Sequence, residues 1–277
     1  MRAPGRRRLL MARTIMVTGA TDGIGFETAR VLLANGARVL VHGRTAAKAG
    51  AAVKRLAVAG GDPWPVSGDL SRMREVIGLA AQVREKTDTL DVLVNNAGVY
   101  TARRELTDDG FELTMAVNHF AHFLLTRLLE PALAATAGSR VVNVSSMTHQ
   151  SGSLDPADLT FASAWSPYGA YSNSKLANLL FTRELARRVA DSGRVTNALH
   201  PGVIGTKLLR AGFALGGAPV TEGAKTSVYL ATSEAGGRAN GKYFVDCRET
   251  PPARQARDDA LAARLWAESE RLLAPFL

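Results

Sequence analysis

The chain has 277 residues, of which 46% are hydrophobic and 21% charged, which is typical of a folded domain and excludes a disordered protein. The formal net charge of +9 is spread along the chain, and no basic run is interleaved with aromatic residues, so nucleic-acid binding is not expected. Cys247 is the single cysteine, which excludes an internal disulfide, and no Cys/His cluster has metal-ligand spacing.

The N-terminus is basic but lacks the apolar region of a signal peptide. Arg6-Arg7-Arg8 is followed by Leu9-Leu10-Met11, which is too short before Arg13 interrupts it. No stretch approaches the roughly 18 apolar residues that cross a bilayer. We interpret residues 1–12 as a disordered leader, with contact to an anionic membrane surface as the alternative, and residues 13–277 as one domain of a cytoplasmic protein.

Short apolar runs alternate with longer amphipathic stretches. The predicted strands are Thr14–Thr18, Arg38–Val41, a third from Pro65–Val66 towards Gly68-Asp69-Leu70, Leu90–Val94, Arg140–Val144, Val195–Leu199 and Tyr243–Val245. The predicted helices include Phe26–Ala34, Gly110–Leu129 and one that opens at Ser166-Pro167. This alternation predicts an α/β fold, a doubly wound Rossmann-type domain with a mostly parallel sheet of about seven strands. Its ligand site is expected at the carboxyl ends of the strands.

The first strand runs into a glycine-rich turn that opens the first helix, Thr18-Gly19-Ala20-Thr21-Asp22-Gly23-Ile24-Gly25. Glycines at these positions let the backbone turn tightly and approach a pyrophosphate, and the helix N-terminus offers free N–H groups. A glycine-rich turn without a ligand is the alternative. The strand–turn–helix setting favours a dinucleotide site.

The second strand ends in His42-Gly43-Arg44, and Lys48 follows a turn later. A carboxylate at this point would bind the ribose 2′-OH of NAD, whereas a guanidinium suits the 2′-phosphate of NADP. We therefore predict NADP rather than NAD. The alternative is that Arg44 is an ordinary surface arginine.

Polar and small residues also end the third and fourth strands. Asp69-Leu70 offers a carboxylate that can accept a hydrogen bond from the adenine amino group. In Asn95-Asn96-Ala97-Gly98, small residues let the backbone pass close to a ribose, and the Asn side chains can tie neighbouring strands together. Each signal is weak alone, because Asp and Asn-Gly are common in turns.

The strongest chemical signal is Tyr171-Ser172-Asn173-Ser174-Lys175, early in the helix that follows the fifth strand. Residues four apart share one helix face, so the Tyr171 hydroxyl and the Lys175 ammonium can point the same way. A cation lowers the pKa of a phenol below its usual value of about 10. Such a phenol can exchange a proton with a carbonyl or alcohol oxygen near neutral pH. Lys175 can also reach the ribose hydroxyls.

Two further polar groups fit the same centre. Ser145-Ser146 ends the fifth strand, where one hydroxyl can hold the substrate oxygen. Asn118 lies inside the predicted long helix and is either satisfied at a helix kink or part of a water relay to Lys175.

The sixth strand ends in Pro201-Gly202-Val203-Ile204-Gly205-Thr206, whose backbone can bond a nicotinamide carboxamide, with Thr206 adding a hydroxyl. Tyr168 is a rival proton donor, but it lies seven residues from Lys175. His149 and His200 are possible general bases for which we expect loop-packing roles.

The ordered set TGxxxGxG, NNAG, an in-helix Asn, SS, YxxxK and PGxxxT resembles the short-chain dehydrogenase/reductase family over residues 14 to about 247. The resemblance implies a catalytic tetrad of Asn118, Ser146, Tyr171 and Lys175. The motifs and the resemblance together assign cofactor contacts to Gly19, Thr21, Asp22, Gly23, Ile24, Gly25, Arg44, Lys48, Asp69, Leu70, Asn96, Ala97, Gly98, Tyr171, Lys175, Pro201, Gly202, Ile204 and Thr206.

The long spacing from Ser146 to Tyr171, with VNHFAHFLLT, GKYFVDC and LWAESERLL, resembles the retinol-dehydrogenase-like branch. Animal members of that branch often have a membrane anchor, which is not expected here. Asp22 stands where many NADP-preferring members have a basic or neutral residue, which counts against the NADP prediction. Association through two long helices would be usual for the family, so a homo-oligomer is a possible form.

The sequence thus predicts an oxidoreductase that transfers a hydride between NADP(H) and a small lipophilic carbonyl or alcohol. The alternative is a cofactor-binding sensor with little turnover. Two segments are expected to overhang the nicotinamide, and about half of their apolar side chains are expected only to pack the loops. These side chains are Met147, Leu154, Leu159, Phe161 and Trp165 in the insertion 147–166, and Leu208, Leu209, Phe213 and Leu215 after Thr206.

Overall fold

The computed structural model describes residues 13–213 and 216–277. The predicted leader over residues 1–12 and the predicted pocket residue Leu215 therefore lie outside the described residues. Within the described ranges, no helix is both long and apolar enough to span a membrane.

A single sheet of eight strands forms the centre of the domain. In chain order these are β1 Thr14–Val17, β2 Arg38–Gly43, β3 Asp62–Ser67, β4 Val92–Asn95, β5 Arg140–Val144, β6 Val195–His200, β7 Tyr243–Val245 and β8 Arg248–Glu249. Their order across the sheet is β3-β2-β1-β4-β5-β6-β7-β8, and only the β7–β8 pair is antiparallel. The chain reverses direction across the sheet at β1, so a crevice opens there between the carboxyl ends of β1 and β4. The predicted Rossmann-type fold is confirmed.

Helices cover both faces of this sheet. They are α1 Gly23–Ala34, α2 Ala46–Leu56, α3 Met73–Lys86, α4 Ala121–Leu128, α5 Glu130–Ala134, α6 Pro167–Arg188, α7 Lys207–Gly212, α8 Val220–Thr232, α9 Glu234–Arg238 and α10 Asp259–Leu273. Each face of the sheet carries its own core. Met16 and Leu93 belong to one core, and Ile15 and Val92 belong to the other, as the alternation of side chains along a strand requires.

The predicted third strand is displaced. β3 begins at Asp62 and ends at Ser67, so Asp69-Leu70 follows the strand instead of ending it. Pro63 and Pro65 are unusual in a strand, so the sequence pattern does not indicate where β3 begins. The sheet tolerates them because β3 is at its edge. β8 was not predicted, because two charged residues carry no strand pattern.

The predicted helix Gly110–Leu129 is shorter and is interrupted. It begins with Leu113–Met115, passes through a π-helical turn over Ala116–Phe120, and continues as α4. Asn118 lies in the π-helical turn, so the polar residue in the apolar pattern marks a break in the helix.

The C-terminal helix α10 packs beside α4 and α6. The Trp266 ring lies 4.8 Å from that of Phe123 and 5.8 Å from that of Phe181, measured between centroids. His119 bonds Ser269 at 3.0 Å. The part of the two long helices that α10 covers is therefore not free for a partner subunit, and association through their remaining surface stays a prediction.

Candidate active site

A groove of about 960 Å³ follows the carboxyl ends of the parallel strands. The glycine-rich turn after β1 and the segment after β6 form its walls. Of the residues predicted to bind the cofactor or substrate, all those assigned to the cofactor line this groove, as do Ser146, Met147, Leu208, Leu209 and Phe213. The predicted site residues thus come from six strand ends and meet in one cleft.

The glycine-rich turn is fixed by side chains from neighbouring strands. His42 accepts a bond from the Gly19 N–H at 3.0 Å through Nδ1 and donates to the Gly68 carbonyl at 2.9 Å through Nε2. Asn96 donates to the Thr18 carbonyl at 2.7 Å. Burial lowers the pKa of His42, which keeps the ring neutral and fits both of its bonds. Sequence reasoning assigned His42 no role in holding the turn.

Gly25 shows why the turn requires glycine. A Cβ at this position would collide with the Asn96 amide and the Gly19 carbonyl, so the residue permits close packing of α1 against the ends of β1 and β4. Gly19 has a φ of +64°, a conformation that suits glycine.

Asp22 caps α1 and forms an ion pair across the mouth of the groove. Its Oδ1 accepts from the Gly23 N–H at 2.8 Å, and its Oδ2 lies 2.6 Å from Lys207 Nζ. The Lys207 ammonium lowers the pKa of the Asp22 carboxyl. The Asp22 carboxylate, which counted against NADP, is therefore already paired with a cation. Its partner Lys207 was not predicted to be a site residue.

Cations surround the end of the groove next to β2. Arg44 and Lys48 line it as predicted, and Arg55 of α2 does so as well. Arg44 Nε is 3.8 Å from Asp69 Oδ2, and Asp69 also accepts from Ser71. Arg55 was not predicted, although Lys48 and Arg55 are two helical turns apart and share one face of α2, which is a signal the sequence does contain.

At the other end of the groove, α6 places Tyr171 and Lys175 beside the end of β5. Lys175 Nζ lies 5.6 Å from the centroid of the Tyr171 ring and donates to the Val144 carbonyl at 3.1 Å. Both side chains are buried, at 7% and 3% exposure. Helix α6 begins at Pro167, and Ser166 is its N-cap as predicted, with a hydroxyl that accepts from the Gly169 N–H at 3.0 Å.

The effect of Lys175 on the Tyr171 pKa differs from the prediction. Burial raises the pKa of Tyr171 to about 12, with the Ser146 hydroxyl acting in the opposite direction. Burial also lowers the pKa of Lys175 to about 8. Desolvation disfavours both the phenolate and the ammonium, so Tyr171 is a protonated phenol over the neutral pH range.

The two serines after β5 have different partners. Ser145 donates to the Lys175 carbonyl at 2.7 Å, which attaches β5 to α6. The Ser146 hydroxyl accepts from the Thr148 N–H at 3.2 Å and lowers the pKa of the Tyr171 phenol against the effect of burial. Of the two hydroxyls, that of Ser146 is the one beside Tyr171.

Asn118 uses its side chain to hold the loop after β4. Its Oδ1 accepts from the Val99 N–H at 2.8 Å, and its Nδ2 donates to the Val99 carbonyl and to Ser174 Oγ. Of the two predicted alternatives, these bonds describe a satisfied helix break, and a role in a water relay stays a prediction.

The rival groups have other partners. Tyr168 is 45% exposed and bonds Ser151 at 3.3 Å. His149 bonds the Ser146 carbonyl at 2.6 Å and accepts from the Ala253 N–H. His200 accepts from the Met147 N–H at 3.3 Å, and burial lowers its pKa to about 4. Both histidines hold loops.

The segment after β6 runs along the groove and starts α7. The Thr206 hydroxyl accepts from the Leu209 N–H at 3.2 Å as the helix cap, and its contact with a nicotinamide carboxamide stays a prediction. Phe213 lies 6.0 Å from the Tyr171 ring, and Tyr100, which was not predicted, lies 5.7 Å from the same ring, both between centroids. Aromatic rings thus flank the phenol.

The insertion between residues 147 and 166 contributes less to the groove than predicted. Leu154, Leu159 and Phe161 are buried in the hydrophobic core. Trp165 packs against that core and donates to Glu112 Oε1 at 3.1 Å. Of the five predicted side chains, only Met147 lines the groove, because the others hold the insertion to the helices.

Comparison with known proteins agrees with this geometry. The family model for short chain dehydrogenases matches residues 13–214, most of the chain. The chain belongs to the short-chain dehydrogenase family. It is therefore an oxidoreductase that acts on CH–OH groups with a nicotinamide cofactor.

This short-chain dehydrogenase is 38% identical to human retinol dehydrogenase 14 over 98% of this chain and 89% of that protein. It shares 36% identity and a TM-score of 0.80 with an uncharacterized protein from Mycobacterium paratuberculosis, covering 95% of this chain and 93% of the other. It shares 27% identity and a TM-score of 0.71 with Pseudomonas aeruginosa RhlG in complex with NADP, covering 85% and 96%. The predicted retinol-dehydrogenase-like branch is confirmed.

Proteins similar to this short-chain dehydrogenase differ in the cofactor they bind. Among solved structures of the same fold, one is described with NADP bound and another as an NADH-dependent reductase with NAD. The residues of the groove fit either nicotinamide dinucleotide, since a helix N-terminus faces the glycine-rich turn and cations line the end next to β2.

Proposed function

We propose that this enzyme transfers a hydride between NADP(H) and a lipophilic carbonyl or alcohol, with Tyr171 as the general acid and base. The observation that carries the proposal is the position of a buried phenol, with Ser146 and Lys175 beside it, in the same groove as the glycine-rich turn.

The bound nicotinamide would supply the hydride to the carbonyl carbon or accept it from the alcohol carbon. In reduction, the Tyr171 hydroxyl gives its proton to the carbonyl oxygen, and in oxidation the same proton transfer runs in reverse. Ser146 orients that oxygen by a hydrogen bond. Lys175 places a positive charge close to the phenolate that forms, and Asn118 holds the loop after β4 against this centre.

Charge at the end of the groove next to β2 supports NADP. Arg44 and Lys48 line this end, and the Asp22 carboxylate is paired with Lys207. A 2′-phosphate therefore meets cations that can form charge-assisted hydrogen bonds, and the nearest carboxylates are already compensated. NAD lacks this phosphate and gains nothing from these cations.

Apolar side chains at the other end support a lipophilic substrate. Met147, Leu208 and Phe213 line the groove, and the Phe213 ring lies 6.0 Å from that of Tyr171. Such a lining favours substrates with extended apolar groups. The relatives named for retinol, a lipophilic alcohol, agree with this class without fixing retinoids as the substrate.

The test is a substrate panel with both reduced cofactors. We expect kcat/KM with NADPH to rise with the chain length of straight-chain aldehydes and to exceed the values for small keto acids. We also expect NADPH to be preferred over NADH. If keto acids are the better substrates, or chain length has no effect, the lipophilic pocket is wrong, and equal use of both cofactors would contradict NADP dependence.

A further inference from the structure

Arg55 stands at the groove in a fixed position. Its guanidinium carbon lies 4.1 Å from the centroid of the Phe26 ring, and its Nη1 donates to the Thr21 carbonyl at 3.4 Å. Stacking on an aromatic ring suits a guanidinium better than an ammonium, and it leaves further N–H donors for a ligand. The side chain is therefore held by α1 and the glycine-rich turn while it lines the groove.

The bond to Thr21 places Arg55 near the end of β2. A Cβ on Gly43 would lie 2.7 Å from Thr21 Cγ2, so the turn that carries Thr21 packs directly against the strand end. In a dinucleotide fold of this type, the residues that follow β2 meet the 2′ position of the adenosine ribose. Arg55 lines the groove from α2, and Arg44 lines it from the end of the strand.

The charge of Arg55 is available to a ligand. Arg44 lies 3.8 Å from the Asp69 carboxylate and Lys207 is paired with Asp22, whereas Arg55 takes part in none of the salt bridges among residues 13–213 and 216–277. Its one described hydrogen bond goes to a neutral carbonyl, so a phosphate need not displace a carboxylate to reach it.

We propose that Arg55 binds the 2′-phosphate of NADP together with Arg44, and that it is a specificity-determining residue for NADP over NAD. The inference rests on the proposed NADP dependence. A guanidinium stacked on Phe26 presents its remaining donors in a fixed plane, which matches the oxygens of a phosphate.

The test measures binding of NADPH and NADH by isothermal titration calorimetry, without turnover. Arg55→Ala should raise the Kd of NADPH about tenfold or more and leave that of NADH within about twofold, because a charge-assisted bond to the 2′-phosphate is lost. Arg55→Met keeps an apolar stem against Phe26 and should show the same selective loss. Lys54→Ala removes an exposed cation from the same helix outside the groove and should change neither Kd.

If the unaltered protein prefers NADPH, two results would overturn the inference. In the first, the Arg55 variants change neither the Kd of NADPH nor that of NADH. In the second, both Kd values rise by the same factor. The second result would mean that Arg55 acts on the shape of the turn through Thr21. If the unaltered protein binds NADH as tightly as NADPH, the proposed cofactor preference is wrong, and the role of Arg55 falls with it.

Discussion

At the residue scale, the ammonium group of Lys175 is buried. The side chain is 3% exposed, and its described hydrogen bond goes to the Val144 carbonyl. Burial lowers the pKa of Lys175 from its ordinary 10.5 to about 8. Between these values the unfolded chain binds more protons than the folded one, so Lys175 makes stability rise as the pH increases through this window.

Lys175→Met should therefore stabilise the protein while abolishing turnover. At about pH 7 we expect a free energy of unfolding higher by on the order of 2 kcal/mol, after allowing for the lost bond to Val144. The difference should shrink towards about pH 10, where the unfolded lysine also loses its proton. Urea unfolding at several pH values measures this effect, with the exposed Lys54→Met as control. A variant less stable by the same amount at every pH would show that Lys175 carries no burial cost.

The difference between the predicted and the observed shift in the pKa of Tyr171 is also explained at this scale. Spacing in the sequence correctly placed the phenol and the ammonium side by side, but it cannot report how much water surrounds them. Because both groups are buried, desolvation outweighs the attraction between a phenolate and an ammonium, and the pKa of Tyr171 rises.

At the element scale, the two apolar segments near the groove have different tasks. The insertion buries Leu159 in the core, at 2% exposure, whereas the segment after β6 places Leu208 along the groove wall near Gly98. The first residue holds the insertion in the core, and the second lines the groove that we propose binds the substrate.

These positions predict opposite effects for the same substitution. Leu159→Ala should lower the free energy of unfolding by about 2–5 kcal/mol and leave the KM for a long-chain aldehyde unchanged, since it opens a cavity away from the groove. Leu208→Ala should raise that KM and cost much less stability. Urea unfolding and steady-state kinetics on both variants separate the roles. A KM effect in the Leu159 variant alone would place the substrate under the insertion.

Elements with strong patterns could be predicted from the sequence, and those that depend on tertiary context could not. β1 and β5 have apolar runs and α6 has a clear helix cap, so the limits of the two strands and the start of α6 differ from the predictions by at most one residue. β3 contains prolines that only an edge position tolerates. The π-helical turn at Asn118 depends on bonds to Val99 and Ser174, which are distant in sequence.

At the scale of the whole molecule, the sheet order brings the parts of the site together. β1 lies between β2 and β4, where the strand order reverses, so the turn after it, the cations after β2 and the α6 residues beside β5 all face one groove. Motifs in the sequence identified most of these groups. They did not reveal the Asp22–Lys207 pair, because it joins the ends of β1 and β6 across the groove.

We propose that Tyr171 moves the proton in an NADPH-dependent carbonyl reduction, and Tyr171→Phe tests this role most directly. Only the hydroxyl is lost, so we expect kcat for a long-chain aldehyde to fall by about 10²–10⁴-fold while the Kd of NADPH stays within about twofold. Tyr168→Phe, on the same helix but 45% exposed, should keep the activity of the unaltered enzyme. Retention of full turnover by the Tyr171 variant, with NADPH bound normally, would contradict the claim.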